Sequence, residues 1–417
     1  MTAIAFSGGG DSTAMLHAFR DDPSVTHAFI IDHALRGGSA KEAEQAADIA
    51  KSYGYDVRID RWKHNGVFSG VQAKARDYRY AALGRLCRAA GVTRLMTAHN
   101  EDDQAETLLM RLDRQTGWRG LAGMPQEAYA PLWPALAGVH LYRPWLNKSR
   151  QALRDYNRQY SLSFIDDPSN ENTDFARIRA RQALAVDLPL RTDLLLQQKE
   201  MRARLIQERQ EQAVWLKRYA SLNAQGYIET VAAPAPELLL HILNAAAGQG
   251  GPIDAAKRKR LSQDMVKPDF KAATLGGAWI LRRVETSNQT EPAAQRHSFV
   301  FLRDRSAVTG RSHKVPLEKS SLDMNEPTVW DGRFFCRAKQ RGLHVEAGLG
   351  HLRFLRQLPE FKALFEYSKA VRESLPIFFM GDKPVGFGVC DSEFVTSTAT
   401  SALRLQAMFE MPKGVSK

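Results

Sequence analysis

The chain has 417 residues, of which 44% are hydrophobic and 25% charged, ordinary globular usage that excludes a disordered chain and suggests two to three domains. Its three cysteines, Cys87, Cys336 and Cys390, lie far apart, which argues against a disulfide scaffold or thiolate metal centre and makes a reducing, cytoplasmic setting the expectation. There is no run of about 18 apolar residues and no basic leader, so secretion and membrane spanning are set aside. The net charge is +12, with 26 Lys and Arg against 24 Asp and Glu in residues 1–200 and 32 against 22 in residues 201–417. A surplus confined to the second half fits a polyanionic partner such as nucleic acid, although a solubility charge would look the same.

The first 120 residues alternate β-rich runs with helical patterns. Ile4–Phe6 leads through glycines into a helix over Ser12–Arg20, and Thr26–Ile31 is the next strand. Ser39 with Glu42 reads as a capping box for a helix to Tyr53. Asp56–Trp62 is a third strand, and Ser69 with Gln72 opens a helix to Ala90. Arg94–Ala98 is a fourth strand, followed by a helix from the cap residue Asn100 to Arg114. Strands separated by single helices imply a doubly wound, mostly parallel α/β sheet, with ligands at the carboxyl ends of the strands. Pro125, Pro131, Pro134 and Pro144 predict an irregular stretch over 120–150. A long helix over Leu194–Leu222 links to an Ala/Pro spacer (Ala232–Pro236), a helix over Glu237–Ala247 and the basic run Lys257-Arg258-Lys259-Arg260. Thr286–Pro292 is a candidate boundary before a final α+β region. The expected division is 1–190, α/β and catalytic; 191–287, mainly helical; and 293–417, smaller and mixed.

Three strand-to-helix loops carry the chemistry. Ser7-Gly8-Gly9-Gly10-Asp11-Ser12 places glycines where backbone N–H groups can cradle a phosphate, and it matches neither a Walker A loop nor G-x-G-x-x-G. A carboxylate at Asp11 would repel that phosphate unless a divalent cation sat between them, and Mg²⁺ is the natural choice. The loop after the second strand offers Asp32, His33 and Arg36, with Arg36 able to hold a phosphate. The plain alternative is a capping Asp32 and a solvated Arg36. The third loop, His99-Asn100-Glu101-Asp102-Asp103-Gln104-Ala105-Glu106, gathers Asp102, Asp103 and Glu106 on the first turns of a helix. They could bind a cationic substrate or a metal, or simply favour the helix dipole.

Together these loops resemble the PP-loop ATP pyrophosphatase superfamily, whose S-G-G-x-D-S signature is present without mismatch. Arg111-Leu112-Asp113-Arg114-Gln115-Thr116-Gly117-Trp118-Arg119-Gly120-Leu121-Ala122-Gly123-Met124 is similar to the R-x-S-G-x-x-G-L-x-G-M stretch of tRNA(Ile)-lysidine synthases, with Thr116 for the usual Ser and Gln115 for a common Gly. Arg143-Pro144-Trp145-Leu146, followed by Arg150, resembles that family's R-P-L-L segment. Asp166-Asp167-Pro168-Ser169-Asn170, with Phe175 to Arg179, resembles its D-P-S-N region. The resemblance spans roughly residues 1–182; no motif beyond about residue 190 extends it.

The resemblance implies a ligase that adenylates the C2 carbonyl oxygen of the wobble cytidine of tRNA(Ile) bearing a CAU anticodon, releasing pyrophosphate, after which the L-lysine ε-amine displaces AMP. ATP and Mg²⁺ are the implied cofactors. Ser7–Ser12, Asp32, His33, Arg36, His99 and Asn100 would bind ATP, with Asp11 on Mg²⁺. Arg36, Asp102, Asp103 and Glu106 would serve catalysis and lysine binding. Arg111, Arg114, Arg177, Arg179, Arg181 and Lys257–Arg260 are candidate tRNA contacts, with a solvated face as the alternative for the last two groups. The oligomeric state is open, a homodimer included. The rivals are a PP-loop tRNA thiolase, disfavoured because Cys87 stands alone in the first domain, a small-molecule amidating synthetase, and a non-catalytic tRNA-binding protein.

Overall fold

A computed structural model describes residues 1–64, 70–165, 176–285, 296–310, 317–401 and 404–405. The described residues divide into two compact units, one up to Arg209 and one from Gln210 on.

The first unit contains, in order, β1 (Thr2–Ala5), α1 (Gly10–Ala18), β2 (Val25–Asp32), α2 (Ser39–Ser52), β3 (Asp56–Arg61), α3 (Val71–Ala89), β4 (Arg94–Met96), α4 (Glu101–Asp113), α5 (Trp118–Leu121), β5 (Glu127–Tyr129), β6 (His140–Tyr142), α6 (Arg150–Gln159), α7 (Ala176–Val186) and the start of α8 (Leu188–Tyr219). Its sheet has the order β3-β2-β1-β4-β6-β5. All pairs are parallel except the edge pair β5–β6. The central strands β1 and β2 are buried on both sides, as a sheet covered on both faces requires, whereas the edge strand β3 is polar and more exposed. Ile4 and Phe6 point to one core with Met15, Leu16, Ala46 and Ala50, whereas Ala3 and Ala5 point to the other with Leu83, Cys87 and Leu95. α1 and α2 therefore cover one face and α3 the other, leaving the loops after β1, β2 and β4 together at the carboxyl ends of three adjacent strands.

The second unit continues with β7 (Ala220–Leu222), β8 (Ile228–Thr230), α9 (Pro236–Ala247), α10 (Ala255–Met265), β9 (Ala272–Leu275), β10 (Ala278–Glu285), β11 (Arg296–Arg303), α11 (Arg305–Thr309), β12 (Ser320–Ser321), β13 (Thr328–Trp330), β14 (Phe334–Ala338), β15 (Leu343–Ala347), α12 (Leu352–Leu355), α13 (Lys369–Ser374), β16 (Pro376–Met380), β17 (Lys383–Phe387), β18 (Cys390–Asp391) and β19 (Val395–Ala399). Three antiparallel sheets result, ordered β7-β8-β11-β10-β9, β12-β15-β16-β17 and β13-β14-β19-β18. α9 begins with Pro236 at its first position and ends at Gly248, whose φ of +66° suits a helix stop. Leu239, Ile242 and Leu243 of this helix pack on Ile280, Phe299 and Phe301 of the first of these sheets.

Several local expectations need correction. Ser39 is the first residue of α2 rather than its cap: Gly38, at φ +92°, holds that place with no side-chain cap, and the Glu42 carboxylate takes the Arg36 guanidinium at 2.6 Å instead. The stretch over 120–150 is not irregular throughout, because β5 and β6 complete the sheet; their prolines fall outside the strands, and three-residue strands leave no periodicity to read. Residues 191–287 carry α8, α9 and α10 over more than half their length, with β7, β8, β9 and β10 between and after them. The 287/293 boundary falls between β10 and β11, which pair antiparallel from Ala278–Arg303 to Glu285–Arg296, so it does not separate two sheets. The D-P-S-N segment, Asp166–Asn170 and on to Phe175, and Thr286–Pro292 lie outside the described residues.

Candidate active site

The glycine loop is held open from beneath. Gly8 has φ +81°, and a Cβ there would meet Ile165 Cδ1 at 2.8 Å. The Gly8 carbonyl accepts from the Ile165 amide at 2.9 Å and from Thr13 Oγ1 at 3.2 Å. Ser12 Oγ donates to the Gly9 carbonyl at 2.9 Å and lies 3.1 Å from Ser7 Oγ. Asn157 Nδ2 donates to the Gly10 carbonyl at 3.0 Å. With the loop's carbonyls so engaged and no side chain capping α1 at Gly9, the N-terminal amides of α1 face the mouth as anion donors.

Beside this loop lies a cavity of about 310 Å³ on the α4–α6–α7 side and a larger one of about 690 Å³ toward β2, lined by Ser7, Asp32, His33, Arg36, His64 and Arg79 among others. Asp32 is buried; its Oδ1 accepts from the Ala34 amide at 2.8 Å and its Oδ2 lies 3.4 Å from Arg61 Nε. His33 Nδ1 is buried with no hydrogen-bond partner among the described residues. Burial, with Arg79 nearby, lowers the His33 pKa despite Asp32, so this imidazole is neutral near pH 7.

The third loop forms as the sequence implies. Asn100 caps α4, accepting from the Asp103 amide at 2.9 Å, while Asp103 Oδ2 accepts from the Asn100 amide at 3.0 Å, a complete capping box. The Asn100 side chain also reaches the first loop, Nδ2 donating to Asp11 Oδ2 at 2.9 Å. His99 Nδ1 lies 2.9 Å from Thr97 Oγ1. Its pKa is held well below the usual value by burial and by Arg143, Arg79, Arg177 and Arg76.

The carboxylates of α4 are joined by arginines. Arg150, at the start of α6, donates through its amide to Asp102 Oδ2 at 2.7 Å, through Nη2 to Asp103 Oδ1 at 3.0 Å and through Nη1 to Glu106 Oε1 at 3.2 Å; its Nε lies 3.9 Å from Asp11 Oδ2. Glu106, only 1% exposed, also accepts from Arg177 Nε at 2.9 Å and Arg181 Nε at 2.8 Å. Arg191 joins Glu101 at 2.8 Å and Asp102 at 3.5 Å. Burial raises the Glu106 carboxyl, but the Arg181 hydrogen bond and the charges of Arg150, Arg181 and Arg177 outweigh it and leave its pKa lowered. Asp11 shows the opposite balance. Burial, reinforced by Asp103, pushes it up to about 6 against the pull of Arg150, Arg154 and Arg181.

The structure thus brings Asp11, Asn100, Asp102, Asp103, Glu106, Arg177 and Arg181 into one lattice, and Asp32, His33 and Arg36 onto the larger cavity. Arg179 is exposed beside that lattice, Arg114 is exposed at the end of α4, and Arg111 donates to the Gly120 carbonyl at 2.6 Å. Lys257, Lys259 and Arg260 are exposed on α10, whereas Arg258 is buried and donates to the carbonyls of Ile253 at 3.0 Å and Pro236 at 2.8 Å. Sequence reasoning missed Arg150 as the hub. The available signal was its place after Ser149, a residue type favoured as a cap, which fixes the side chain at a helix start facing α4. It also missed Gln104, whose amide brackets Met124 through two hydrogen bonds of 3.0 and 2.8 Å and occupies the space a Cβ on Gly123 would need.

Comparison with known proteins agrees with this architecture. A PP-loop domain family matches residues 1–188. The tRNA(Ile)-lysidine synthase of Hyphomonas neptunium is 35% identical over 295 residues, covering 67% of this chain and 78% of the relative. That of Brucella anthropi is 32% identical over 349 residues, covering 79% and 72%. That of Wolbachia pipientis wMel is 28% identical over 395 residues, covering 90% and 85%. Among solved structures, a U34-tRNA thiolase from Methanococcus maripaludis aligns with a TM-score of 0.40 and 15% identity over 48% of this chain and 71% of that one. With a PP-loop fold, the signature loop at its mouth and relatives matched over most of their length, the chain belongs to the tRNA(Ile)-lysidine synthase family of ligases.

Proposed function

We propose that the chain joins L-lysine to C2 of the wobble cytidine of tRNA(Ile) with a CAU anticodon, through a cytidine adenylated by ATP. The observation that carries this reading is the shared boundary of two chemically different sites, where Asp11 of the phosphate loop touches Asn100 and Arg150 of the acid–arginine lattice. A reaction that first activates an oxygen with ATP and then admits an amine needs its phosphate cradle and its amine-binding carboxylates side by side.

In this proposal Ser7–Ser12 and the first turn of α1 hold the ATP phosphates. Asp32, His33, His99 and Asn100 line the nucleotide side, where a neutral His33 Nδ1 without a partner among the described residues suits a base edge or ribose hydroxyl. Arg36, set on the cavity wall by Glu42, stabilises charge at the α-phosphate. The donor set fits Mg²⁺ shared with phosphates rather than caged by protein. The described residues contain no cluster of three or more metal-ligating side chains, so a cation here would take Asp11 together with substrate phosphates and water. Bound there, Mg²⁺ would supply charge neutralisation between Asp11 and the phosphates.

Asp102 and Asp103 bind the lysine ammonium groups. Glu106 acts as the anchor that fixes Arg150, Arg177 and Arg181, whose guanidiniums meet the lysine carboxylate or the tRNA backbone. Arg111, Arg114, Arg179 and the exposed members of the Lys257–Arg260 run contact tRNA phosphates, Arg258 supporting α10 from within. Incubation with ATP, Mg²⁺, labelled lysine and this tRNA tests the reading: label at the wobble cytidine supports it, and no incorporation alongside an active control overturns it.

A further inference from the structure

The second unit contains a cavity of about 310 Å³ between β9–β10, the end of β11, α11 and α13, lined by Trp279, Arg303, Arg305, Lys369 and Glu373 among others. Its charges do not balance. Arg303 is buried at 8% exposure and donates through Nη2 to Asp331 Oδ1 at 2.7 Å. The same carboxylate also serves Arg333 Nε at 2.7 Å, so one buried anion answers two buried guanidiniums. Arg303 Nε and Nη1 have no hydrogen-bond partner among the described residues, a costly state for a buried cation. Also lining the cavity, Arg305 and Lys369 are largely exposed and share Glu373, at 3.4 and 3.9 Å. Against Asp304, Asp331 and Glu373 stand Arg303, Arg305, Arg333 and Lys369, with the indole of Trp279 beside them.

A positively unbalanced cavity with an aromatic wall has the chemistry of a nucleotide site: cations for a phosphate, a π-face for a base. We infer that this cavity holds one unpaired nucleotide of the RNA substrate, its base on Trp279 and its phosphate facing Arg303, Arg305 and Lys369. The inference rests on the reading of this chain as a tRNA-modifying enzyme. RNA is favoured over an acidic peptide because a peptide carboxylate leaves Trp279 without a planar partner, and because the positive surplus of the chain lies in residues 201–417. A base-paired nucleotide does not fit the role, since its π-faces are already stacked; an extruded or terminal one does.

The test uses the full chain. Trp279→Ala and the double variant Arg305→Gln/Lys369→Gln are compared with the wild type in tRNA binding across a salt series, with Arg303 left intact because it also holds Asp331. Trp279→Ala is expected to weaken tRNA binding about tenfold, the scale of one lost base–aromatic stack, with ATP affinity unchanged and some loss of thermal stability because Trp279 also packs on the core; Trp279→Leu, which keeps the packing but not the π-face, is expected to weaken binding alike. The double variant is expected to flatten the slope of log affinity against log salt by roughly one to two. A tetraribonucleotide should quench tryptophan fluorescence in the wild type and not in Trp279→Phe, with inorganic phosphate failing to quench either. Wild-type tRNA affinity in a correctly folded Trp279→Ala, or quenching by phosphate equal to that by the oligonucleotide, overturns the nucleotide site. If the wild type transfers no lysine, the proposed reaction falls while these binding measurements still judge the cavity.

Discussion

Replacing Glu106 separates its role as an anchor from that of a direct ligand. Its side chain is 1% exposed and meets three guanidiniums, of which Arg150 is 16% exposed and Arg177 and Arg181 are each 38% exposed. Glu106→Ala leaves Arg150 partly buried without that partner, a loss of about 3 kcal/mol. The two more exposed arginines are screened by solvent, and their pairs add roughly 0.5 kcal/mol each. The sum, about 4 kcal/mol, lowers the melting temperature of the first unit by roughly 10 °C. Glu106→Gln behaves differently, because removing the charge also removes the burial penalty that opposes it. The net effect of burial and arginines is a lowered pKa, so Gln is less stable than wild type at pH 7, by less than Ala. The stabilisation from the ionised carboxylate is present above its unfolded value of 4.5 and is lost as pH falls through the lower folded value. The gap between wild type and Gln therefore closes on acidification. Thermal unfolding by circular dichroism from neutral to acid pH measures this, and lysine transfer measures the functional side, where Glu106→Ala raises the apparent KM for lysine. An Ala variant that melts with the wild type and shows normal lysine affinity refutes both the anchor and the lysine-site role.

Other outcomes follow from the same geometry. Asp11 has a folded pKa of about 6 against 3.8 when free, so between those values only the folded state holds the proton and stability declines as pH rises through that window. With its side chain 31% exposed, the penalty above that window is discounted to about 1–2 kcal/mol. Asp11→Asn is therefore more stable than wild type at pH 7.5 and equal to it near pH 4, while losing ATP-dependent activity; a constant stability difference across pH contradicts this. Gly8→Ala is expected to cost about 1–2 kcal/mol, since φ +81° places a Cβ against the chain and against Ile165, and isothermal titration should show weakened ATP binding. Reversing Lys257, Lys259 and Arg260 to Glu should flatten the salt dependence of tRNA binding, whereas an unchanged slope removes α10 from the interface.

Much of the first unit was readable from the chain because its elements are long enough to show their period and its loops fall at strand ends. The glycine loop and the Asn100 box announce themselves through residue types that have few other uses there. Ser39 misled because a Ser-x-x-Glu spacing satisfies the box on paper, while the Gly37-Gly38 turn starts α2 one residue earlier and Glu42 finds Arg36. β5 and β6 were hidden by brevity and flanking prolines. Arg150 was present in the matched segment, but the sequence does not reveal that one side chain closes on carboxylates from two loops. In the second unit, strands of two to five residues build most of two sheets, and their partners are set by tertiary pairing rather than local pattern.

Asn100 satisfies two neighbours with opposite demands: its oxygen accepts from the α4 amide and its nitrogen donates to Asp11. Serine, threonine or aspartate could cap the helix, yet none supplies an amide donor to the neighbouring carboxylate, and aspartate would repel it; glutamine carries the same groups one methylene too far out. The position therefore works as a diagnostic letter. In a distant sequence that keeps the glycine loop, asparagine four residues past the end of the fourth strand, closing a Thr-Ala-x-Asn run, marks a chain in which phosphate loop and acid helix are still wired together, and any other residue there marks one in which they are not.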